Sequence, residues 1–178
     1  MKKILMFFWC VAFCTLSLAQ TPISLKNIID SIDWNEATET DIVYMFKNNV
    51  YKQDVPNKKI GGYCTSYSLK NISVGKYLVP KSDVLVDNAY RKVKRINIIF
   101  PENSSVWNNP NELETNIVDT LTKILGEKYS KTETNYGKGI KDVTYCWNDS
   151  FVNPCNLTFW FCLKSKVCAI LVGNEVKM

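Results

Sequence analysis

Four cysteines near the C-terminal end of the chain have a spacing that could serve several kinds of chemistry: Cys146, Cys155, Cys162 and Cys168. Zinc sites usually hold their ligands in close pairs and often include histidine. Here neighbouring cysteines are separated by eight, six and five residues, and the chain has no histidine. The Cys-x-x-Cys motif of thioredoxin-like centres is missing as well. The spacing therefore favours structural disulfides over two alternatives, reduced buried cysteines and a metal or catalytic centre.

The pattern of strands predicts which cysteines meet. Strand-like segments on either side of residues 164–166 predict a hairpin with a three-residue loop. That register sets Cys162 opposite Cys168 and predicts a disulfide between them. It also gathers an apolar stripe on the other face of the hairpin: Leu157, Phe159, Phe161, Ala169 and Leu171.

A second disulfide is predicted between Cys146 and Cys155. These cysteines bracket the loop of residues 147–154 and could join the preceding hairpin in the same way. Cys64 is then the odd cysteine of the exported chain.

Aromatic residues near these cysteines are candidates for binding. The hairpin register points Trp160 away from the apolar stripe, and a direct pairing of Cys146 with Cys155 would place Tyr145 and Trp147 on that same outer face. A patch of these three side chains would suit the binding of a protein or a glycan. The alternative is that a loop or the other half of the chain covers them.

The N-terminal residues predict export. Lys2 and Lys3 precede an apolar run over residues 4–16, and small residues occupy the −3 and −1 positions of a cleavage site before Gln20. This is the layout of a secretory signal peptide over residues 1–19, because the apolar run is short for a membrane span. We expect a periplasmic or secreted protein that is not inserted in the membrane after signal removal. An uncleaved anchor is the alternative.

The charge of the chain is mild. Its 22 basic and 17 acidic residues give a formal net charge of +5, and loss of Lys2 and Lys3 with the signal lowers this to +3. Nucleic-acid-binding domains are usually far more basic. We therefore predict no nucleic-acid partner.

Two similar segments indicate an internal repeat. The sequence ETDIV at residues 39–43 corresponds to ETNIV at residues 114–118, and both lie in segments with helical apolar periodicity. Three strand-like segments follow each of them. The predicted fold is α+β, with two tandem α-β-β-β repeats whose antiparallel sheets pack against helices. The predicted repeats span residues 20–103 and 104–178.

This order of elements resembles the β-lactamase inhibitor protein fold, a tandem repeat of helices packed on antiparallel strands. It is also similar to the small helix-plus-three-strand lipoproteins of the outer-membrane assembly machinery. The resemblance covers most of the exported chain and rests on element order and repeat length. It implies a binding role through a curved sheet surface and assigns that role to no particular residue.

Catalytic patterns are missing from the sequence. The chain has no histidine for general acid–base chemistry, no nucleophile elbow, no phosphate-binding loop and no calcium loop. We therefore predict no catalytic residue, no metal site and no cofactor. The expected function is an exported, non-enzymatic binding module. Two alternatives are a small secreted hydrolase that uses carboxylates and a structural envelope protein whose partner is itself.

We predict that the exported protein begins at Gln20, because Ala19 supplies the small residue that signal peptidases require before the cut. Intact-mass spectrometry of the exported product should give the mass of residues 20–178. A product that retains Met1, or that carries a lipid on Cys14, would contradict this prediction.

Overall fold

The computed structural model describes residues 21–52, 64–137, 141–147 and 156–173. Three α-helices lie in these ranges: α1 (Leu25–Ser31), α2 (Glu39–Met45) and α3 (Pro110–Leu125), the last preceded by a 3₁₀ turn (Ser105–Asn108). The described strands are β1 (Ile23–Ser24), β2 (Val50–Lys52), β3 (Cys64–Val74), β4 (Tyr77–Asp87), β5 (Val93–Ile99), β6 (Ser130–Asn135), β7 (Lys141–Trp147), β8 (Asn156–Cys162) and β9 (Val167–Gly173). The α+β class predicted from the sequence is confirmed.

In the described part of the chain, nine strands form one continuous sheet. Eight of them follow the order β1-β3-β4-β5-β9-β8-β7-β6, and β2 pairs with β3 beside this path. The β1–β3 pair is parallel and every other pair is antiparallel. The two halves of the chain meet where β5 pairs with β9, at the centre of the sheet.

The helices pack on one face of this sheet. Ile28 of α1, Ile42 of α2 and Ile117 of α3 belong to the same apolar cluster as the inward-facing residues of β3 to β5 and β7 to β9. The four side chains predicted to lie in the core are all buried: Ile98, Ile117, Phe159 and Phe161. None of the helices among the described residues combines the length and apolarity that a bilayer crossing requires.

Local sequence fixes the ends of α2 and α3. Thr38 and Asp41 form a capping box at the start of α2, in which the Thr38 backbone N–H donates to Asp41 Oδ2 at 2.8 Å. At the start of α3, Asn109 accepts from the backbone N–H of Glu112, and Pro110 occupies the first turn, where its missing N–H costs nothing. The third helix ends at Gly126, whose φ of 91° is accessible to glycine.

The β8–β9 hairpin differs from the sequence prediction by one residue. Its turn contains four residues, 163–166, so that Cys162 lies opposite Val167 and Phe161 lies opposite Cys168. Lys166 closes the turn with a φ of 47°, and its N–H donates to the carbonyl of Leu163. This register gives the core three side chains of β9: Cys168, Ile170 and Val172.

The predicted disulfide between Cys162 and Cys168 is therefore wrong. A shift of one residue turns every side chain of a strand to the other face of its sheet. Cys168 consequently lies in the core, while Cys162 points to the opposite face, and both are free cysteines.

The β7–β8 pairing also differs from the prediction. Cys146 lies opposite Thr158, with its Sγ 3.7 Å from Thr158 Oγ1, and is a free cysteine in the structure. The direct pairing of Cys146 with Cys155 was the premise of the second disulfide. Cys155 lies outside the described residues.

Burial should protect Cys168 from alkylation. Loss of hydration raises the pKa of its thiol well above the usual range, and the side chain is inaccessible to solvent. Without denaturant, we expect N-ethylmaleimide to leave Cys168 unmodified, and denaturation should restore labelling. Peptide mapping without reduction should find no Cys162–Cys168 linkage. A linked peptide would show that the hairpin has the three-residue loop instead.

Candidate functional site

The sheet face that points away from the helices carries a row of side chains across four neighbouring strands. The registers align Ile99 of β5, Ala169 of β9, Trp160 of β8 and Thr144 of β7. Ile99 is 48 % exposed, and Trp160 and Thr144 are partly exposed. We call these four residues the Trp160 row.

A second row lies beside the first and adds small polar groups to the apolar surface. It runs through Asn97, Leu171, Thr158 and Cys146 on the same four strands. Thr158 is buried between its neighbours, whereas the other three side chains are partly exposed. The two rows together form a surface of mixed aliphatic, aromatic and polar character with little charge.

Of the three aromatic residues predicted to form a binding patch, only Trp160 lies on this face. Tyr145 and Trp147 are 6 % and 1 % exposed and lie in the core on the helix side. They occupy that side because β7 sets Tyr145 opposite Phe159 and Trp147 opposite Leu157. The predicted three-residue patch is therefore wrong, since it depended on a direct pairing of Cys146 with Cys155.

Trp147 has a structural role in the core. Its indole Nε1 donates to the carbonyl of Gly126, at the C-terminal end of α3, over 3.1 Å. Its ring lies 4.9 Å from that of Tyr129, measured between centroids. These contacts fix the end of α3 against β7.

The rings beneath the sheet form a connected aromatic cluster. Tyr145 stacks on Phe159 with centroids 5.6 Å apart, and Trp107 stacks on Phe161 at 5.8 Å. Phe159 and Phe161 contact each other at 6.3 Å. Aromatic pairs of this kind contribute roughly 0.5–1.5 kcal/mol each beyond their buried area. The cluster therefore holds β7 and β8 firmly, and Trp160 projects from the other side of β8.

A buried carboxylate that the sequence reasoning did not single out lies between α3 and β7. Glu114 is only 7 % exposed. The Tyr145 hydroxyl donates to its Oε1 at 2.8 Å, and Lys141 Nζ lies 3.2 Å from its Oε2. The pKa of Tyr145 is raised well above its usual range. Burial of the side chain is the larger cause, and the hydrogen bond to the Glu114 carboxylate is the second. A buried carboxylate requires such partners, because an unpaired one would be strongly destabilising.

An open cleft of about 340 Å³ adjoins this cluster. Its lining is mostly polar and consists of Asn111, Glu114, Thr115, Val118, Asp119, Lys141 and Tyr145. Because both oxygens of Glu114 are engaged, the carboxylate orients α3 on the sheet. A sequence signal for it exists: Glu114 falls on the buried side of α3, next to Leu113 and one turn before Ile117.

A second cleft, of about 280 Å³, brings three carboxylates together beside α2. Asp41 caps the helix, and hydrogen bonds from the backbone and hydroxyl of Thr38 lower its pKa. Asp33 accepts from the backbone N–H of Asn35, and Glu36 pairs with Lys92 at 2.9 Å. Each carboxylate therefore has a role in local structure. Within the described ranges, no group of three or more histidine, cysteine or acidic residues is arranged to hold a metal ion.

In comparisons with known proteins, the chain matches no protein-family model, no curated protein and no solved structure.

The Glu114–Tyr145 hydrogen bond should contribute measurably to stability. Tyr145→Phe removes the donor to a buried carboxylate and keeps the ring, so we expect the free energy of unfolding to fall by about 1–3 kcal/mol. Tyr129→Phe is the matched control, because this ring packs on Tyr145 but is 39 % exposed. Its effect should stay within about 0.5 kcal/mol. Equal urea-denaturation midpoints for the two variants would contradict the assignment.

Proposed function

We propose that the protein is an exported, non-enzymatic binding module that engages a protein partner through the Trp160 row. The observation that carries the proposal is the position of Trp160 and Ile99 on the sheet face without helices. Tryptophan is enriched among the residues that dominate the affinity of protein interfaces. Ile99, which is 48 % exposed, extends the apolar surface to β5.

The shape and charge of this face favour a protein surface as the partner. The Trp160 row contains no charged side chain, and charged residues are depleted at the centres of protein interfaces. The row crosses four strands, so its width is roughly 15 Å at the usual strand spacing. Small-molecule sites are usually concave pockets. A broad and weakly polar face of this kind is more typical of the centre of a protein interface.

The scaffold beneath the row is suited to binding without rearrangement. The aromatic cluster supports β7 and β8 from the helix side. A surface that is ordered before binding loses less conformational entropy when the partner arrives. Rigidity therefore adds to the affinity that a small number of apolar contacts can provide.

The proposal includes the tandem organisation of two α-β-β-β units, residues 20–103 and 104–178. In its support, a helix precedes a three-stranded antiparallel unit in each half, β3-β4-β5 and β7-β8-β9. Ile42 and Ile117, which match in the similar pentapeptides, are both buried in the common core. Residues 39–43 begin α2, whereas residues 114–118 lie in the second turn of α3 and beyond. The two segments are therefore alike in the side chains that they bury and differ in their position relative to the helix start.

The resemblance to the β-lactamase inhibitor protein fold agrees with this proposal, since it implies binding through a sheet surface. Export is part of the proposal as well and rests on the signal-like residues 1–19, which lie outside the described residues.

A capture experiment tests the surface. Tagged wild-type protein, Trp160→Ala and Ile99→Lys are incubated with native envelope extract and culture medium, and bound proteins are quantified by mass spectrometry. Loss of a central tryptophan contact should reduce capture of the specific partner at least about tenfold. Ile99→Lys should act in the same direction, because it introduces a charge into the apolar row.

Tyr44→Ala is the control for this experiment. It removes an aromatic side chain that is 81 % exposed on α2, on the helix side of the sheet, and should leave capture unchanged. Urea denaturation of each variant verifies that it is folded. A partner that wild type and Trp160→Ala capture equally would show that the named surface is wrong. Release of the bound material by a glycan competitor would favour a glycan as the ligand.

A further inference from the structure

The β6 strand lies at one edge of the sheet with its outer side uncovered. It pairs with β7 over six consecutive residues, and no strand in the described part of the chain pairs with its other side. All six residues, Ser130–Asn135, are exposed. An edge strand of this kind presents a row of backbone N–H and C=O groups that can pair with another strand.

The opposite edge of the sheet is built differently. There the path ends in β1, which has two residues, and β2 adds three residues beside it. Proteins commonly protect edges by short strands, prolines, bulges or charged side chains, lysine above all. By contrast, β6 is longer, contains no proline and keeps an uninterrupted register with β7. Its charged residues are Lys131 and Glu133.

The sequence of β6 is complementary to itself in one antiparallel register. In this register Thr132 of one copy lies opposite Thr132 of the second copy. Lys131 of each copy then lies opposite Glu133 of the other. Ser130 then lies opposite Thr134. Registers centred on Lys131 or on Glu133 instead set like charges opposite each other, which is destabilising. The charges therefore select the register centred on Thr132.

We propose that the chain forms a two-fold symmetric dimer in which β6 pairs antiparallel with β6 of a second copy. The backbone groups of both edges are satisfied, and the two sheets merge into one. Within each copy, Lys131 Nζ lies 3.2 Å from Glu133 Oε2, so the same side chains exchange an ion pair along the strand for pairs across the interface. Such an interface is isologous, because each copy contributes the same strand.

The interface is small, which determines the kind of dimer to expect. Two six-residue strands pair over roughly 20 Å, with less buried area than a permanent dimer usually has. Exposed Tyr129 and Tyr136 flank β6 and add apolar surface at the ends of the paired strands. The dimer should therefore be reversible and concentration-dependent. It goes beyond the proposed function, because it uses the edge of the sheet and leaves the Trp160 row accessible.

Charge reversal at two positions provides the test, by analytical ultracentrifugation of the full exported chain over a concentration series. Lys131→Glu gives a strand with two glutamates, and Glu133→Lys gives a strand with two lysines. Each variant alone sets like charges opposite each other, so its dimer dissociation constant should rise about tenfold or more. Both positions are exposed, so the fold should be retained, and circular dichroism verifies this.

Two rescue experiments separate strand pairing from a general effect of charge. An equimolar mixture of the two variants should form a heterodimer, because the two-glutamate strand then meets the two-lysine strand. The double variant Lys131→Glu/Glu133→Lys should dimerise like wild type, since the self-complementary pattern is restored with its charges exchanged. Trp160→Ala should also dimerise like wild type, so failure of the sheet-face proposal leaves this result unaffected.

Three outcomes would overturn the proposal. One is a wild type that stays monomeric over the whole concentration series, and another is dimerisation of both single variants as tight as that of wild type. Failure of the mixture and of the double variant to restore dimers would also exclude the Thr132 register. A monomer that instead captures a different protein through a Lys131-dependent contact would show that the edge serves another partner.

Discussion

The antiparallel pairing of β5 with β9 is the interaction on which the architecture depends. It joins a sheet from the first half of the chain to one from the second, with Ile96 opposite Val172 and Ile98 opposite Ile170. At the end of the pair the strands approach so closely that a Cβ on Gly173 would lie 2.2 Å from the backbone oxygen of Lys94. A glycine is therefore required there, because no side chain fits between the strands. The β5–β9 pairing joins the two halves into one sheet, and all three described helices pack on the same face of that sheet.

The distribution of surfaces follows from that constraint. Once the helices cover one face, the alternation of side chains along β5, β9, β8 and β7 sends Ile99 and Trp160 to the other. Polar groups on the helix side need internal partners, and Glu114 obtains them from Tyr145 and Lys141. Helix packing thus buries the aromatic cluster on one face and leaves Ile99 exposed and Trp160 partly exposed on the other.

The face and the edge would act together in an assembly. In antiparallel pairing, residues opposite each other point to the same side of the sheet. Dimerisation through β6 would therefore place two Trp160 rows on one side of a continuous sheet. A partner with two equivalent sites would then bind with an increased effective concentration at the second site. Binding through the face and self-association through the edge are thus compatible in geometry, although different residues carry them.

The sequence by itself determined the features that depend on neighbouring residues. The capping box of Thr38 and Asp41, the end of α3 at Gly126 and the alternation that buries Phe159 and Phe161 are local in origin. The α+β class follows from the order of these segments. Local patterns suffice here because capping and amphipathicity act within a few residues of the chain.

Only the tertiary structure decided the strand registers. Two registers of the β8–β9 hairpin both bury an apolar stripe. One buries Ala169 and Leu171 of β9, and the other buries Ile170 and Val172. The alternation of apolar residues in the sequence is compatible with both registers. The four-residue turn produces the register that buries Ile170 and Val172, and this register places Cys162 and Cys168 on opposite faces of the sheet. The position of Tyr145 against Glu114 depends in the same way on a contact between residues 31 positions apart. Because side chains alternate with a period of two, one residue of loop length decides which face of the sheet every side chain occupies.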